Sequence, residues 1–274
     1  NFRLMQGYRI PGLGGTPPVV KNLLIINVLL FFGTEVLTSV NLVEFLALYY
    51  PESTYFRPYQ FVTHMFMHGG MTHLFFNMFA LWMFGRILEG VWGSKRFIIY
   101  YFVTGLGAAA LHLFVNYLTI EDMKAAALAF QNTPSPEAFQ AFIKSHLNNP
   151  STAVLDLVNR FYDQPEAQAL AAEAWHVIGR VVELNIDVPT IGASGAVFGV
   201  LLAFGMLFPN TELMLLFPPI PIKAKWMVIG YGALELFLGL SNANSNIAHF
   251  AHLGGMIFGF ILIKYWNSKK KTFY

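Results

Sequence analysis

The sequence predicts an all-α, polytopic membrane protein of six transmembrane helices, with a soluble helical insertion between the third and the fourth. Three observations carry this prediction. Of the 274 residues, 55% are hydrophobic and only 12% are charged, about half the roughly 25% charge of an ordinary globular domain, and mean hydropathy is +0.51. Apolar segments recur at about 19–40, 71–88, 97–118, 191–208, 226–240 and 247–266. One long stretch, 119–189, interrupts them with a mixed polar and apolar pattern.

At ~1.5 Å rise per residue, twenty helical residues cross a ~30 Å hydrocarbon core, so the fifth segment is short and must tilt, thin the bilayer or borrow flanking residues. The domain organisation that follows is 1–118 for the first three spans, 119–189 for the insertion, and 190–274 for the last three spans with a basic tail. An even number of spans puts both termini on one side. Arg3, Arg9, Lys21, Arg86, Lys95, Arg96, Lys223, Lys225, Lys264, Lys269, Lys270 and Lys271 fall on the side of the termini; Arg57, Lys124, Lys144, Arg160 and Arg180 fall on the other. Twelve against five makes the termini cytoplasmic and the insertion extracytoplasmic, as expected for a cell's inner or plasma membrane. No charged-then-apolar segment with a cleavage signature precedes Pro17, so no signal peptide is expected.

The insertion reads as amphipathic helices. Ser135-Pro136-Glu137 is a helix start, after which Phe139, Phe142, Ile143 and Leu147 mark one face. Asn148-Asn149-Pro150 breaks that helix. Val154, Leu155, Val158 and Phe161 mark a second, and Leu170, Trp175, Ile178 and Val182 a third.

Composition also narrows the chemistry. Without cysteine there is no disulfide, thiol nucleophile or Cys-ligated zinc. A net charge of +2, with no basic tract interleaved with aromatics, does not point to nucleic acid. The informative residues sit where apolar segments begin: Gly192-Ala193-Ser194-Gly195 opens the fourth and Ala251-His252-Leu253-Gly254-Gly255 the sixth. A serine hydroxyl is a poor nucleophile until a base takes its proton, which makes His252 the natural partner of Ser194. Early in the second segment His73 and Asn77, spaced i, i+4, share a helix face. Both can donate hydrogen bonds to a developing oxyanion. With the proposed topology all four residues enter the membrane from the same side.

The same residues also fit plainer roles. Ser, His and Asn in membrane helices commonly hydrogen-bond their own or a neighbouring helix. His64, His68 and His73 lack an obvious carboxylate and a recognised zinc spacing; there is no His-Glu-x-x-His and no pair of Asp residues in the spans for an aspartyl mechanism. Ala196 replaces the last glycine of a Gly-x-Ser-x-Gly elbow. Gly195-x3-Gly199 and Gly255-x3-Gly259 offer strips without side chains on which spans four and six can approach. Arg86 and Glu89 are expected to pair at the cytoplasmic end of span two. The polar run Ser241-Asn242-Ala243-Asn244-Ser245-Asn246 is placed to admit water before span six.

Three stretches together carry a specific resemblance: His64-Met65-Phe66-Met67-His68-Gly69-Gly70-Met71-Thr72-His73-Leu74-Phe75-Phe76-Asn77-Met78, then Gly192-Ala193-Ser194-Gly195, then Ala251-His252-Leu253-Gly254-Gly255. In this order the sequence resembles the rhomboid family of intramembrane serine proteases over roughly 55–118 and 190–266. The resemblance implies a six-helix rhomboid-like bundle and a serine endopeptidase that cleaves transmembrane proteins near the outer face, with no metal and no cofactor. It makes Ser194 the nucleophile and His252 the general base of a dyad without a carboxylate. His73, Asn77 and the backbone N–H of Ser194 become the oxyanion hole, with Gly192 and Gly195 supporting the nucleophile. Phe198 occupies a position that in the family commonly carries an aromatic, often Tyr, stacked on the catalytic His; Tyr59-Gln60 stands where many members have Trp-Arg. Transmembrane substrates and the lipid bilayer are the implied partners. A non-catalytic relative that binds membrane clients shares the fold but typically loses Ser or His. A transporter would show an inverted repeat or broken-helix pair, and neither is apparent.

Overall fold

The structure, a computed structural model, describes residues 15–37, 39–214, 219–241 and 246–269. Arg3, Arg9, Lys270, Lys271 and the 242–245 part of the polar run lie outside the described residues. The chain divides into two compact units: one holds residues up to Leu48, Pro58–His112 and the chain from Thr190 onward; the other holds Tyr49–Arg57 and Leu113–Pro189.

In the first unit, α1 (Pro18–Val36) opens on a proline whose missing N–H costs a helix start nothing. Its next two amides, Val19 N and Val20 N, donate to the Glu89 carboxylate at 3.0 and 2.8 Å, placing negative charge at the positive end of the helix. After α2 (Leu42–Leu46), α3 (Gln60–Thr63) and a 3₁₀ turn at His64–Phe66, α4 (Met71–Ala80) runs through a π turn at Leu81–Gly85 into α5 (Arg86–Trp92). Glu89, 2% exposed, also accepts from Ser94 Oγ at 2.7 Å. The expected Arg86–Glu89 pair is therefore not made. Glu89 is taken by orphan amides buried beside it, and Arg86 lies over the Trp82 ring, 4.4 Å from its centroid.

The next helix, α6 (Ser94–Asn132), is 39 residues long. It does not stop near 118, where the apolar run ends, because the following Thr119–Asn132 segment holds no proline or glycine and is rich in helix-forming Ala, Leu, Glu and Lys. The division between the two units falls at His112, inside this helix.

The second unit continues with α7 (Pro136–His146), α8 (Thr152–Asp163) and α9 (Gln168–Ile186). Ser135 and Ser151 cap α7 and α8 by accepting from Ala138 N and Val154 N. Phe130, Phe139, Phe142, Ile143, Phe161 and Ile178 form its core. The C-terminal turns of α6 thus supply a fourth helix to a cluster that the apolar pattern assigned to three. Leu155 and Trp175, expected on the inner faces, are 47% and 37% exposed, and Ala174 and Val181 are buried instead. Lys124 pairs with Glu52 at 2.7 Å, and Ser53 Oγ donates to Asp187 Oδ1 at 2.7 Å.

Back in the first unit, α10 (Ser194–Leu207) is followed by an antiparallel pair, β1 (Glu212–Met214) with β2 (Pro221–Lys223), then α11 (Ala224–Leu240) and α12 (Asn246–Lys269). Among the described residues, three apolar stretches, Pro18–Val36, Met71–Trp92 and Ser94–Asn132, are long enough to cross a membrane. Apolar side chains such as Leu29 and Phe237 are 66% and 68% exposed, as suits helices whose outer faces meet lipid rather than water. The chain is a multi-pass membrane protein.

Glycines set the spacing around α10. A methyl at Gly255 would collide with the Gly195 carbonyl oxygen, so α10 and α12 touch backbone to backbone there. The second glycine of each strip has another partner than expected: Gly199 packs on Thr104 and Gly259 on the Tyr100 hydroxyl, both from α6. That hydroxyl donates to Gly199 O at 2.8 Å. Three helices, not two, use the strips.

Candidate active site

Ser194 is the first residue of α10, and the chain leading to it is held at three points. Thr190 pairs with Leu48 through Leu48 N to Thr190 O at 2.9 Å and Thr190 N to Leu48 O at 2.8 Å. Its hydroxyl bonds the His112 ring. Gly192 N donates to His64 O at 2.9 Å. Gly192 itself has φ of +134°, open to glycine and strained for other residues. A side chain there would also meet the His73 ring at 3.0 Å and Ser194 Oγ at 3.5 Å. The turn thus brings the His73 edge and the Ser194 hydroxyl to one small space.

His252 on α12 completes that space, its Nε2 2.9 Å from Ser194 Oγ. One turn along α10, Phe198 stacks on the imidazole with ring centroids 4.1 Å apart and planes within 5°. Asn77, 6% exposed, lies one turn beyond His73 on α4 and spends one amide N–H on His73 O at 3.1 Å, which leaves its second N–H unspent by that bond. Because Ser194 starts its helix, the first amides of α10 have no intrahelical acceptor. A cavity of about 50 Å³ reaches Ser194, lined among others by His64, Met65, Gly105, His112 and Thr190. A single water needs about 10–15 Å³ on this measure, so water fits beside the hydroxyl.

The histidines before α4 do not gather as a metal site. Burial pushes His64 down to about 4, and its Nδ1 is 2.8 Å from Gln60 O. Burial, with a contribution from His73, likewise pushes His68 to about 4. Both rings are neutral near pH 7. His68 packs edge-on against His73 at 5.0 Å, and neither of its nitrogens has a hydrogen-bond partner among the described residues.

A family model described as Rhomboid domain matches residues 55–123 and 168–268, well over half of the chain. The chain belongs to the rhomboid family. It is 30% identical over 232 residues to an uncharacterized mitochondrial rhomboid protein of Schizosaccharomyces pombe, covering 78% of this chain and 52% of that protein. It is 34% identical over 90 residues to the mitochondrial Rhomboid protein 1 of Saccharomyces cerevisiae, covering 33% of this chain and 25% of that protein. With the Rhomboid protease GluP of Bacillus subtilis it shares 37% identity over 60 residues, 22% of this chain and 12% of that protein. The chain spans about half the length of the first relative and a quarter or less of the other two.

Among rhomboid-type features, the dyad was expected to lack a carboxylate, yet one lies beside it. Glu235 on α11, 8% exposed, sets Oε1 3.1 Å from His252 Nδ1, an ion-pair distance without an aligned hydrogen bond. Its Oε2 bonds His249 Nδ1. The ligand atoms of Glu235, His249 and His252 lie within 4.8 Å of one another, so these three are also the described group able to hold a cation. The signal was present in the sequence: Glu235 is the sole charge within 226–240, and an ionisable residue inside an apolar span marks function by default.

Proposed function

We propose that this rhomboid is an intramembrane serine endopeptidase that cleaves transmembrane proteins near the outer membrane face. The observation that carries the reading is the 2.9 Å approach of His252 Nε2 to Ser194 Oγ across two helices. His252 takes the Ser194 proton as the hydroxyl oxygen attacks a peptide carbonyl. The Ser194 amide, His73 and Asn77 hold the resulting oxyanion. His252 then returns its proton to the leaving amine, and water entering by the cavity beside Ser194 releases the acyl-enzyme. A helical peptide hides its carbonyls in hydrogen bonds, so the substrate helix must unwind locally to be cut. The name of the Bacillus subtilis relative, a rhomboid protease, supports the same activity.

The bundle has six spans in this reading, with α10, α11 and α12 as the last three, and 119–189 is an extracytoplasmic helical insertion. The family match leaves out 124–167, which agrees with an insertion there. The excess of basic residues puts the termini on the cytoplasmic side of a plasma or inner membrane. Two of the relatives are named mitochondrial; in that compartment the same charge rule puts the termini in the matrix. Labelling engineered cysteines with an impermeant thiol reagent tests the orientation: sites in 119–189 should react from outside, and the tail after Lys269 only from inside. The reverse pattern would overturn it.

Cleavage of a reconstituted transmembrane substrate by the wild-type protein, and its loss in Ser194→Ala, tests the activity. The alternative, a rhomboid-like protein that binds membrane clients without cutting them, requires binding without cleavage by the wild-type chain.

A further inference from the structure

We propose that Glu235 is a positioning carboxylate behind the Ser194–His252 dyad, held in place by His249. The inference rests on the protease reading above and deepens it. Glu235 is buried within 226–240, a stretch of α11 that holds no other charge, where an unpaired carboxylate is costly. Each of its oxygens faces a different imidazole: Oε2 accepts from His249 Nδ1, and Oε1 lies 3.1 Å from His252 Nδ1. His252 in turn presents its other nitrogen to Ser194 Oγ at 2.9 Å, and Phe198 covers its face. Four side chains on three helices thus form one line: Ser194, His252, Glu235, His249.

The chemistry of imidazole gives this line a direction. A neutral ring carries one N–H and one acceptor nitrogen. To take the hydroxyl proton, Nε2 must be the acceptor, so Nδ1 must carry the hydrogen. A carboxylate beside Nδ1 favours that tautomer, because the opposite one would turn an Nδ1 lone pair toward negative charge. When the Ser194 proton moves to Nε2, the ring becomes an imidazolium whose Nδ1–H still faces the Glu235 carboxylate. His249 binds the second oxygen and so limits rotation of the carboxylate away from His252. From α4, His73 also lies within electrostatic reach of His252. It brings no negative charge, so this role falls to Glu235.

The competing reading makes Glu235 a tie between α11 and α12 with no part in the reaction. Glu235→Gln separates the two, since it keeps the size and one acceptor oxygen but removes the charge and, where its NH2 faces His252, turns a donor toward Nδ1. With a transmembrane substrate in proteoliposomes, we expect this variant to lose kcat by up to about 10⁴-fold, the loss that the wrong tautomer causes in a Ser-His-Asp triad. KM and the thermal unfolding midpoint should stay close to wild type, and the rate of Ser194 labelling by a fluorophosphonate should fall with kcat. Glu235→Asp should recover part of the loss. Wild-type kcat in Glu235→Gln would overturn the proposal. So would a kcat loss accompanied by an equal loss of thermal stability and no recovery in Glu235→Asp. If the variants fold poorly, ¹⁵N spectra of histidine-labelled wild-type protein decide the matter: His252 protonated at Nδ1 is expected, and His252 protonated at Nε2 overturns the proposal. Absence of any Ser194-dependent cleavage by the wild-type protein would instead overturn the protease reading itself.

Discussion

Adding a single methyl group at Gly255 should disable the site without touching any of its polar atoms. The Cβ of an alanine there would occupy the space of the Gly195 carbonyl oxygen, and the clash is with backbone, so no side chain can rotate away. Relief requires α12 to move from α10 by on the order of 1 Å, and a misplacement of that size in reacting groups can cost about 10²-fold in rate. The Ser194–His252 contact, at 2.9 Å, spans the same two helices and sits one turn from the clash. Gly255→Ala should therefore lower kcat on the order of 10²-fold and lower stability by about 1–3 kcal/mol, the usual cost of overpacking. The assay is cleavage of a fluorogenic transmembrane substrate in proteoliposomes, with thermal unfolding measured on the same preparations. Gly230→Ala in α11 and Gly179→Ala in α9 are the controls, because an added Cβ meets nothing within 4 Å at either position. Both should retain activity, and Gly179→Ala should gain up to about 1 kcal/mol from helix propensity. Wild-type kcat in Gly255→Ala would refute the argument that backbone contact sets the dyad distance.

Other outcomes follow from the same geometry. His73→Ala and Asn77→Ala should each lower kcat on the order of 10²–10³-fold with less effect on KM; steady-state kinetics check this, and unchanged kcat in both would make them helix glue. Glu89→Ala should lower stability by about 1–3 kcal/mol because it strips the acceptor from two amides of α1, whereas Arg86→Ala should cost less; thermal unfolding separates them. The second unit should weaken in mild acid. Burial holds His146 below its ordinary value, with Asp122 opposing the shift, so the unfolded chain binds this proton first. Stability is then full above the unfolded value of about 6.5 and is lost as pH falls below it. Hydrogen exchange of α7 across that range measures it, and His146→Gln should flatten the dependence.

The sequence made the local parts of the site legible and the lateral ones less so. Ser194, His252, His73 and Asn77 stand in short motifs at helix starts, where a loop, a glycine and a polar residue are read together, and the structure brings Ser194, His73 and His252 to one space. Glu235 was equally visible as a charge in an apolar segment, but its partners depend on how α11 is rotated against α12, which one-dimensional spacing does not encode. The same limit explains Gly199 and Gly259: the strips were evident, while the helix that fills them, α6, was not. Leu155 and Trp175 read as inward because apolar spacing cannot tell a core residue from an exposed one at the edge of a stripe. The length of α6 was hidden for another reason, since hydropathy marks where a membrane could end and not where a helix must.

The central claim is that Ser194 is a nucleophile activated by His252, and the most direct measurement is active-site labelling followed by peptide mapping. Wild-type protein in proteoliposomes should react with a fluorophosphonate at Ser194 alone. His252→Ala should remove that labelling while keeping the wild-type unfolding midpoint. Equal labelling of the wild-type and His252→Ala proteins, or modification at serines other than Ser194, would contradict the account.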